Sequence, residues 1–207
     1  TPLKLAKTEL CTLFWRAFTL REELWHGRDL GQKLAVIRTA SKKGVPDPEG
    51  RRLSHWGPPV ATLYPTGPLS ALDITYGPDH QLDWLQREAP SYFLTLASNL
   101  RALIELATRR NIRLPSLRQL RTYGEILEPE TRAQARAIWG VEIADTYSAE
   151  EIGYMALQCP SHGPALHVQS ESALVEVLDD TDRPVAPGGV GRVVVTPLHN
   201  FAAPLIR

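Results

Sequence analysis

The hydrophobic pattern changes period several times along the chain, and each change marks an element. Residues 8 to 28 hold Leu10, Leu13, Phe14, Ala17, Phe18, Leu20, Leu24 and Trp25 at helical spacing, with Gly27 as a stop. Lys33 to Ala40, K-L-A-V-I-R-T-A, is continuous enough for a buried strand. Residues 41 to 59 lose all periodicity and read as a long loop. Strands are predicted at Val60 to Tyr64 and Ala71 to Tyr76, then a short helix from His80 to Glu88 halted by Pro90. Tyr92 to Leu96 follows as a buried strand. Ser98 then caps a helix to about Arg110 with Leu100, Leu103, Ile104 and Ala107 inward. A strand at Leu117 to Thr122 leads into the turn Tyr123-Gly124-Glu125. The next helix opens at Pro129 and closes at Gly140, and Val141 to Thr146 is the strand after it.

Strand and helix therefore alternate up to about residue 151. Such alternation argues for a mainly parallel sheet with helices packed on it. Beyond residue 152 the stretches Y-M-A-L-Q-C, H-V-Q-S-E-S, A-L-V-E-V-L and G-R-V-V-V-T-P-L are strand-like, with turn signals at Asp179-Asp180 and Pro187-Gly188-Gly189. The expected class is α/β, a mainly parallel sheet with flanking helices followed by a small antiparallel β subdomain. The expected division is residues 1–151 and 152–207, the second incomplete at its C-terminal side.

Composition narrows the partners. Lys plus Arg equals Asp plus Glu at 23 each, so bulk charge draws the chain to no nucleic acid, and any phosphate site must be local. Two cysteines, Cys11 and Cys159, make no disulfide framework and fit a cytoplasmic setting. No apolar run nears about 18 residues, so no membrane span is expected. A homodimer is compatible with the composition.

The chemistry concentrates at Val141 to Glu151, V-E-I-A-D-T-Y-S-A-E-E, where an apolar strand ends in acids and an aromatic ring. Carboxyl ends of strands are where open α/β sheets place ligands. Tyr147 can cover a flat base, Asp145 can accept from an exocyclic amine, and Glu151 can bind Mg²⁺. Gly124, at the neighbouring strand end, lets backbone approach a planar ring. The plainer alternative makes Tyr147 a rim aromatic and has Glu150 and Glu151 start a short helix, since acids favour a first helical turn.

Several motifs in order carry a more specific resemblance. T-Y-G-E-I-L, D-T-Y-S-A-E-E-I-G about 20 residues later, then A-L-V-E-V-L, G-G-V-G-R-V-V-V-T and A-P-L-I-R resemble the adenylate-forming superfamily. The chain is similar in particular to its phenylacetate–CoA ligase-like branch, capsule-locus adenylyltransferase relatives included. D-W-L-Q-R-E-A-P-S-Y-F-L-T-L-A-S-N-L fits the same branch, where a strand and helix line the acyl pocket.

The resemblance implies an ATP-dependent ligase that activates a carboxylic acid, aryl acids included, as acyl-adenylate and transfers it to CoA. ATP, Mg²⁺ and CoA are the implied cofactors and co-substrates. Tyr147 takes the adenine-stacking position, Asp145 the amine-reading one, and Glu151 that of the catalytic Mg²⁺ ligand. Tyr123, Gly124 and Glu125 match the turn that walls adenine and ribose. Thr146, Ser148 and Glu150 complete the nucleotide-binding stretch. Three positions depart from the pattern: Ser148 and Tyr123 stand where glycines are usual, and Glu150 where a threonine or serine donates to the α-phosphate. A carboxylate there repels phosphate unless it is turned away or screened by Mg²⁺. Transfer to an amine, carrier protein or cofactor, or a degenerate nucleotide-binding role without catalysis, remain open alternatives.

In this family a Ser/Thr/Gly-rich loop precedes a Thr-Pro-like pair, here Thr1-Pro2. A Tyr-x-x-Gly-Asp-like motif follows the P-L-I-R segment, which here ends at Arg207, and a further domain carries a catalytic lysine. The expectation is an excerpt of a longer enzyme that does not adenylate alone.

Two other groups stand out. Cys159, His162 and His167 have zinc-like spacing but no evident fourth ligand, so no zinc is expected. Lys42, Lys43, Arg51, Arg52 and His55 form a basic loop that can guide an anion or simply be solvated. Trp56 at its end can cap an acyl pocket or anchor the loop.

Overall fold

A computed structural model describes residues 6–39 and 47–201. They group into two compact units, Glu23–Thr146 and the described parts of Thr1–Glu22 with Tyr147–Arg207. Lys42 and Lys43, the Thr1-Pro2 pair and the A-P-L-I-R segment lie outside the described residues.

In the unit Glu23–Thr146 the strands are β1 (Leu34–Arg38), β2 (Arg51–Leu53), β3 (Leu69–Asp73), β4 (Tyr92–Leu96), β5 (Gln119–Tyr123) and β6 (Glu142–Ala149), the last running past the unit's boundary. Their order is β2-β3-β1-β4-β5-β6. All neighbours are parallel except the short edge strand β2, which runs antiparallel to β3. The helices are α2 (Pro78–Glu88), α3 (Ala97–Arg110) and α4 (Pro129–Trp139), each linking one parallel strand to the next. Helix α1 (Glu9–Trp25) runs from the other unit into this one.

Alternation along the strands sorts side chains between the two faces of the sheet. Ala35 and Ile37 of β1 join Leu72, Phe93, Leu120 and Ile143 in one core with Leu82, Leu85, Leu100, Leu103, Ile104, Ala135 and Ile138 from α2, α3 and α4. These helices share a face because the chain steps the same way from β4 to β6 through right-handed crossovers. Leu34 and Val36 point the other way, against Tyr92 and Trp56. The Trp56 indole donates to the Gln32 carbonyl at 2.9 Å, and its backbone amide donates to the Thr66 hydroxyl at 2.9 Å. Trp56 is therefore an anchor for the loop, not a pocket cap.

Two ion clusters centred on buried glutamates brace this unit. Glu23 pairs with Arg28 at 2.8 Å and with Arg121, all three buried. Glu88 accepts from Lys33 at 2.8 Å, from the Ser70 hydroxyl at 2.6 Å and from Arg52. Burial pushes the Glu88 carboxyl upward, but the hydrogen bonds from Arg52, Lys33 and Ser70 outweigh it and hold its pKa at about 2. Removing one partner from such a cluster costs several times more than the intact cluster contributes.

The other unit holds β7 (Gly153–Gln158) and β8 (Leu166–Val168), paired antiparallel, and β9 (Ala173–Leu178) with β10 (Arg192–Pro197), also antiparallel. Its part of α1 docks by rings and polar bonds. Phe14 stacks on His199 at 3.8 Å between ring centroids, and Trp15 meets Tyr154 at 5.1 Å. Arg21 bridges Gln169 and Glu171, each at 2.8 Å.

The fold class is thus the expected one, with local differences. Val60–Thr62 is a 3-10 turn, not a strand, and β2 lies inside the predicted loop. Ser98 is not the cap of α3: Leu96 holds the N-cap position without a side-chain bond, and Ser98 is already helical. Helix α1 exposes Leu10, Leu13 and Leu24, while Cys11, Phe18, Glu22 and Glu23 are buried. The helical spacing found the element but not its inward face.

Candidate functional site

The carboxyl ends of β1, β4, β5 and β6 share one edge of the sheet, because these strands are parallel. Chain order reverses between β1 and β4: β3 lies to one side of β1, and β4, β5 and β6 to the other. That reversal is the switch point where open α/β sheets receive ligands. The edge there presents Arg38, exposed at the end of β1, and Leu96 at the end of β4. Sequence reading picked out β5 and β6 and missed Arg38. Its signal was a lone cation closing the apolar run L-A-V-I, but only the strand order gives that position meaning.

Register sets the next two strands side by side, with Thr122 opposite Asp145 and Tyr123 opposite Thr146. The fully buried Thr122 hydroxyl donates to an Asp145 carboxylate oxygen at 2.6 Å. This fixes the Asp145 carboxylate by one oxygen. Tyr123 is half-buried, and burial pushes its phenol above the usual tyrosine range, with Arg38 opposing and the Glu125 carboxylate adding. Gly124 sits at φ +73°, and a Cβ there would touch a Leu96 methyl at 3.6 Å. The left-handed backbone, more than crowding, is what makes glycine fit this turn.

Glu125 has a defined local role. Its carboxylate takes the Ser98 amide at 2.7 Å and the Ser98 hydroxyl at 3.0 Å. A carboxylate on the first amides of α3 satisfies an orphan donor and complements the helix dipole. Glu125 therefore takes the capping role expected of Ser98. Beside them lies a cleft of about 190 Å³ lined by Ala97, Ser98, Arg101, Glu125, Ile126, Glu128 and Thr131. That is smaller than the roughly 300 Å³ at which ligand pockets begin, so it accommodates a small group but not a nucleotide.

Strand β6 continues three residues beyond the predicted end, so Tyr147 and Ser148 are strand, not turn. These residues belong to the second unit. The Tyr147 ring is 42% exposed, and its hydroxyl meets no partner among the described residues. Glu150 and Glu151 lie in a turn closed by the Ile152 amide on the Ala149 carbonyl at 3.2 Å, so they do not open a helix. Glu150 points to Lys7, at 2.6 Å. The Glu150 carboxylate, the expected departure from the phosphate-donor position, is thus engaged in an exposed ion pair. Nothing local announces this pair, whose members stand far apart in sequence. Glu151 is half-buried, and its backbone carbonyl takes the Asn200 amide at 3.3 Å. Its carboxylate makes no hydrogen bond or ion pair among the described residues. A carboxylate available in this way, and a ring available beside it in sequence, fit a hard cation and a flat base.

Solved structures share this architecture. A 2-hydroxyisobutyryl-CoA ligase, in complex with 2-HIB-AMP and CoA in the thioesterification state, superposes with TM-score 0.72 at 20% identity, over 100% of this chain and 43% of that one. The anthranilate CoA ligase AuaEII, in complex with anthranoyl-AMP, gives 0.64 at 15% identity over 90% and 35%. A benzoate CoA ligase from Burkholderia xenovorans LB400 gives 0.60 at 14% over 91% and 38%. No family model and no curated protein matches the chain. The chain shares its fold with these CoA ligase structures and spans less than half the length of each.

Proposed function

We propose that this chain is part of an ATP-dependent acid–thiol ligase. The whole protein joins a carboxylic acid to AMP, releases pyrophosphate, and passes the acyl group to CoA. What supports this reading most is the stretch Asp145–Glu151 on β6 and the turn after it, in a fold shared with CoA ligases at TM-scores up to 0.72. There the chain offers an exposed ring at Tyr147, a carboxylate fixed through Thr122 at Asp145, and an available one at Glu151.

Each residue then has a defined task. Tyr147 stacks on adenine, which holds the nucleotide without engaging its phosphates. Asp145, held by the Thr122 hydroxyl, accepts from the adenine amine. Tyr123, Gly124 and Thr146 form the wall beside it, and Ser148 borders the phosphate side. Glu151 holds Mg²⁺, which when bound offsets charge on the α-phosphate. In the first half-reaction a substrate carboxylate oxygen bonds to the α-phosphorus as the bond to pyrophosphate breaks. In the second, the CoA sulfur bonds to the acyl carbon, AMP leaves, and the thiol proton is lost to solvent or a base. The chain's share is to position the nucleotide for in-line attack.

Glu150 gave the strongest reason to expect a degenerate, non-catalytic protein. Its pairing with Lys7 gives that carboxylate a cationic partner and favours the catalytic reading. Isotopic ATP–pyrophosphate exchange by the whole protein, across a panel of aliphatic and aryl acids, tests the proposal. Acid-dependent exchange is expected, reduced about a hundredfold by Glu151→Gln, with acyl-CoA formed when CoA is added. Exchange without acyl-CoA points to another acceptor. ATP binding without exchange for any acid favours the non-catalytic reading and overturns the proposal.

A further inference from the structure

The antiparallel hairpin β7–β8 gathers three potential metal ligands that play no part in the nucleotide site. Cys159 follows β7 directly, His162 sits in the connecting turn, and His167 is the middle residue of β8. Register places His167 opposite Leu157. The turn is closed by the Cys159 amide on the Ala165 carbonyl at 2.8 Å and by the Ala165 amide on the His162 carbonyl at 3.3 Å. The Gln158 side chain donates to the Gly163 carbonyl at 3.0 Å and braces it from within. The fold of the hairpin therefore brings the three side chains together.

Their ligand atoms all lie within 4.8 Å of one another. The Cys159 sulfur is 3.3 Å from His162 Nδ1. In a tetrahedral zinc site, bond lengths of about 2.0 to 2.3 Å set donor atoms roughly 3.5 Å apart. One pair already has that spacing, and the third donor lies within 4.8 Å of both. The donor set is one sulfur and two imidazole nitrogens, which suits zinc and disfavours Mg²⁺ or Ca²⁺. Cys159 is buried at 6% exposure while both histidines are exposed. The thiolate would sit at the floor and the imidazoles at the rim, leaving the fourth position toward solvent. Counting ligands along the sequence gave no fourth protein donor and hence no expectation of zinc. A water molecule meets that requirement without one.

We propose that Cys159, His162 and His167 form a zinc site with water as fourth ligand, stapling the β7–β8 hairpin. The staple ties the buried strand β7 to the exposed strand β8. Both buried core clusters lie in the unit Glu23–Thr146, and Leu166 and Val168 of β8 are 40% and 45% exposed. Metal binding there contributes directly to folding free energy.

The test uses untagged full chain, loaded with Zn²⁺ and separated from free metal. About one zinc per chain is expected, with an unfolding midpoint that rises with added Zn²⁺. Co²⁺ in its place gives a thiolate-to-cobalt charge-transfer band and strong tetrahedral visible absorption. Cys159→Ser abolishes that band, and His162→Ala and His167→Ala each weaken zinc binding about tenfold or more. His162 is an exposed turn residue, so its variant keeps the fold by circular dichroism, and His162→Cys restores zinc binding. Zinc content equal in wild type and His162→Ala, or cobalt bound without a thiolate band, overturns the proposal. Either result would assign the metal to histidines elsewhere, such as His55, His80 or His199.

Discussion

The two units use similar apolar strands to different ends. In Glu23–Thr146, β1 reads L-A-V-I-R, and its first four residues are buried because helices cover one face and Trp56 and Tyr92 the other. In the second unit, β10 reads R-V-V-V-T-P, and only its last residue is buried, with Val193 44% exposed. An apolar run shows that a strand forms. Whether it stabilises depends on what covers its faces. The first unit is held by a packed core and ion clusters, the second by ring contacts, hydrogen bonds and, on our proposal, a metal.

Core truncation should separate the two most strongly. Leu103→Ala, in a fully buried site on α3, is expected to cost about 3.5 kcal/mol. Val193→Ala should cost roughly 0.5 kcal/mol or less, since little apolar area is removed from cover. Urea unfolding followed by tryptophan fluorescence checks both. Equal costs would mean that β10 is covered in solution and the contrast is false.

Acid should come next in size. Glu88 has a folded pKa of about 2, below the ordinary value of 4.5 that it regains on unfolding. Its contribution is therefore complete above about pH 5 and is lost as pH falls toward 2, amounting to about 3 kcal/mol. Unfolding free energy measured across that range should fall in wild type and flatten in Glu88→Gln. The Asp179 carboxylate is also held below its usual range, by the Arg183 amide and by Thr181, but it is exposed and should leave a far smaller trace.

A smaller effect is expected at the α3 cap. Glu125→Ala leaves the Ser98 amide without its carboxylate, and should cost about 1 kcal/mol. Ser98→Ala, which removes only the hydroxyl bond, should cost less. The order reverses if Ser98 is the true cap. Native-state hydrogen exchange sharpens the same comparison, with amides of β4 and β5 expected to exchange more slowly than those of β9 and β10.

Much of this was legible beforehand where the signals are local. Pro129 and Gly140 bracket α4 as read, because proline suits a first turn and Gly140 takes the left-handed C-cap at φ +71°. The alternation of periods was enough for the parallel sheet. What escaped depends on partners distant in sequence. The capping of α3 by Glu125 needs β4 and β5 to be neighbours, the Lys7–Glu150 pair joins opposite ends of the chain, and Arg38 gains meaning only from strand order. Cys159, His162 and His167 were visible as a spacing, but their convergence required the β7–β8 register.

The central claim is that β6 and the turn after it carry a nucleotide site, and calorimetric titration of the whole protein with MgATP tests it most directly. Wild type should bind saturably, Tyr147→Ala should bind roughly tenfold or more weakly through loss of stacking, and Glu151→Gln should lose most of the Mg²⁺ dependence. Affinity and Mg²⁺ dependence unchanged in both variants would contradict the account.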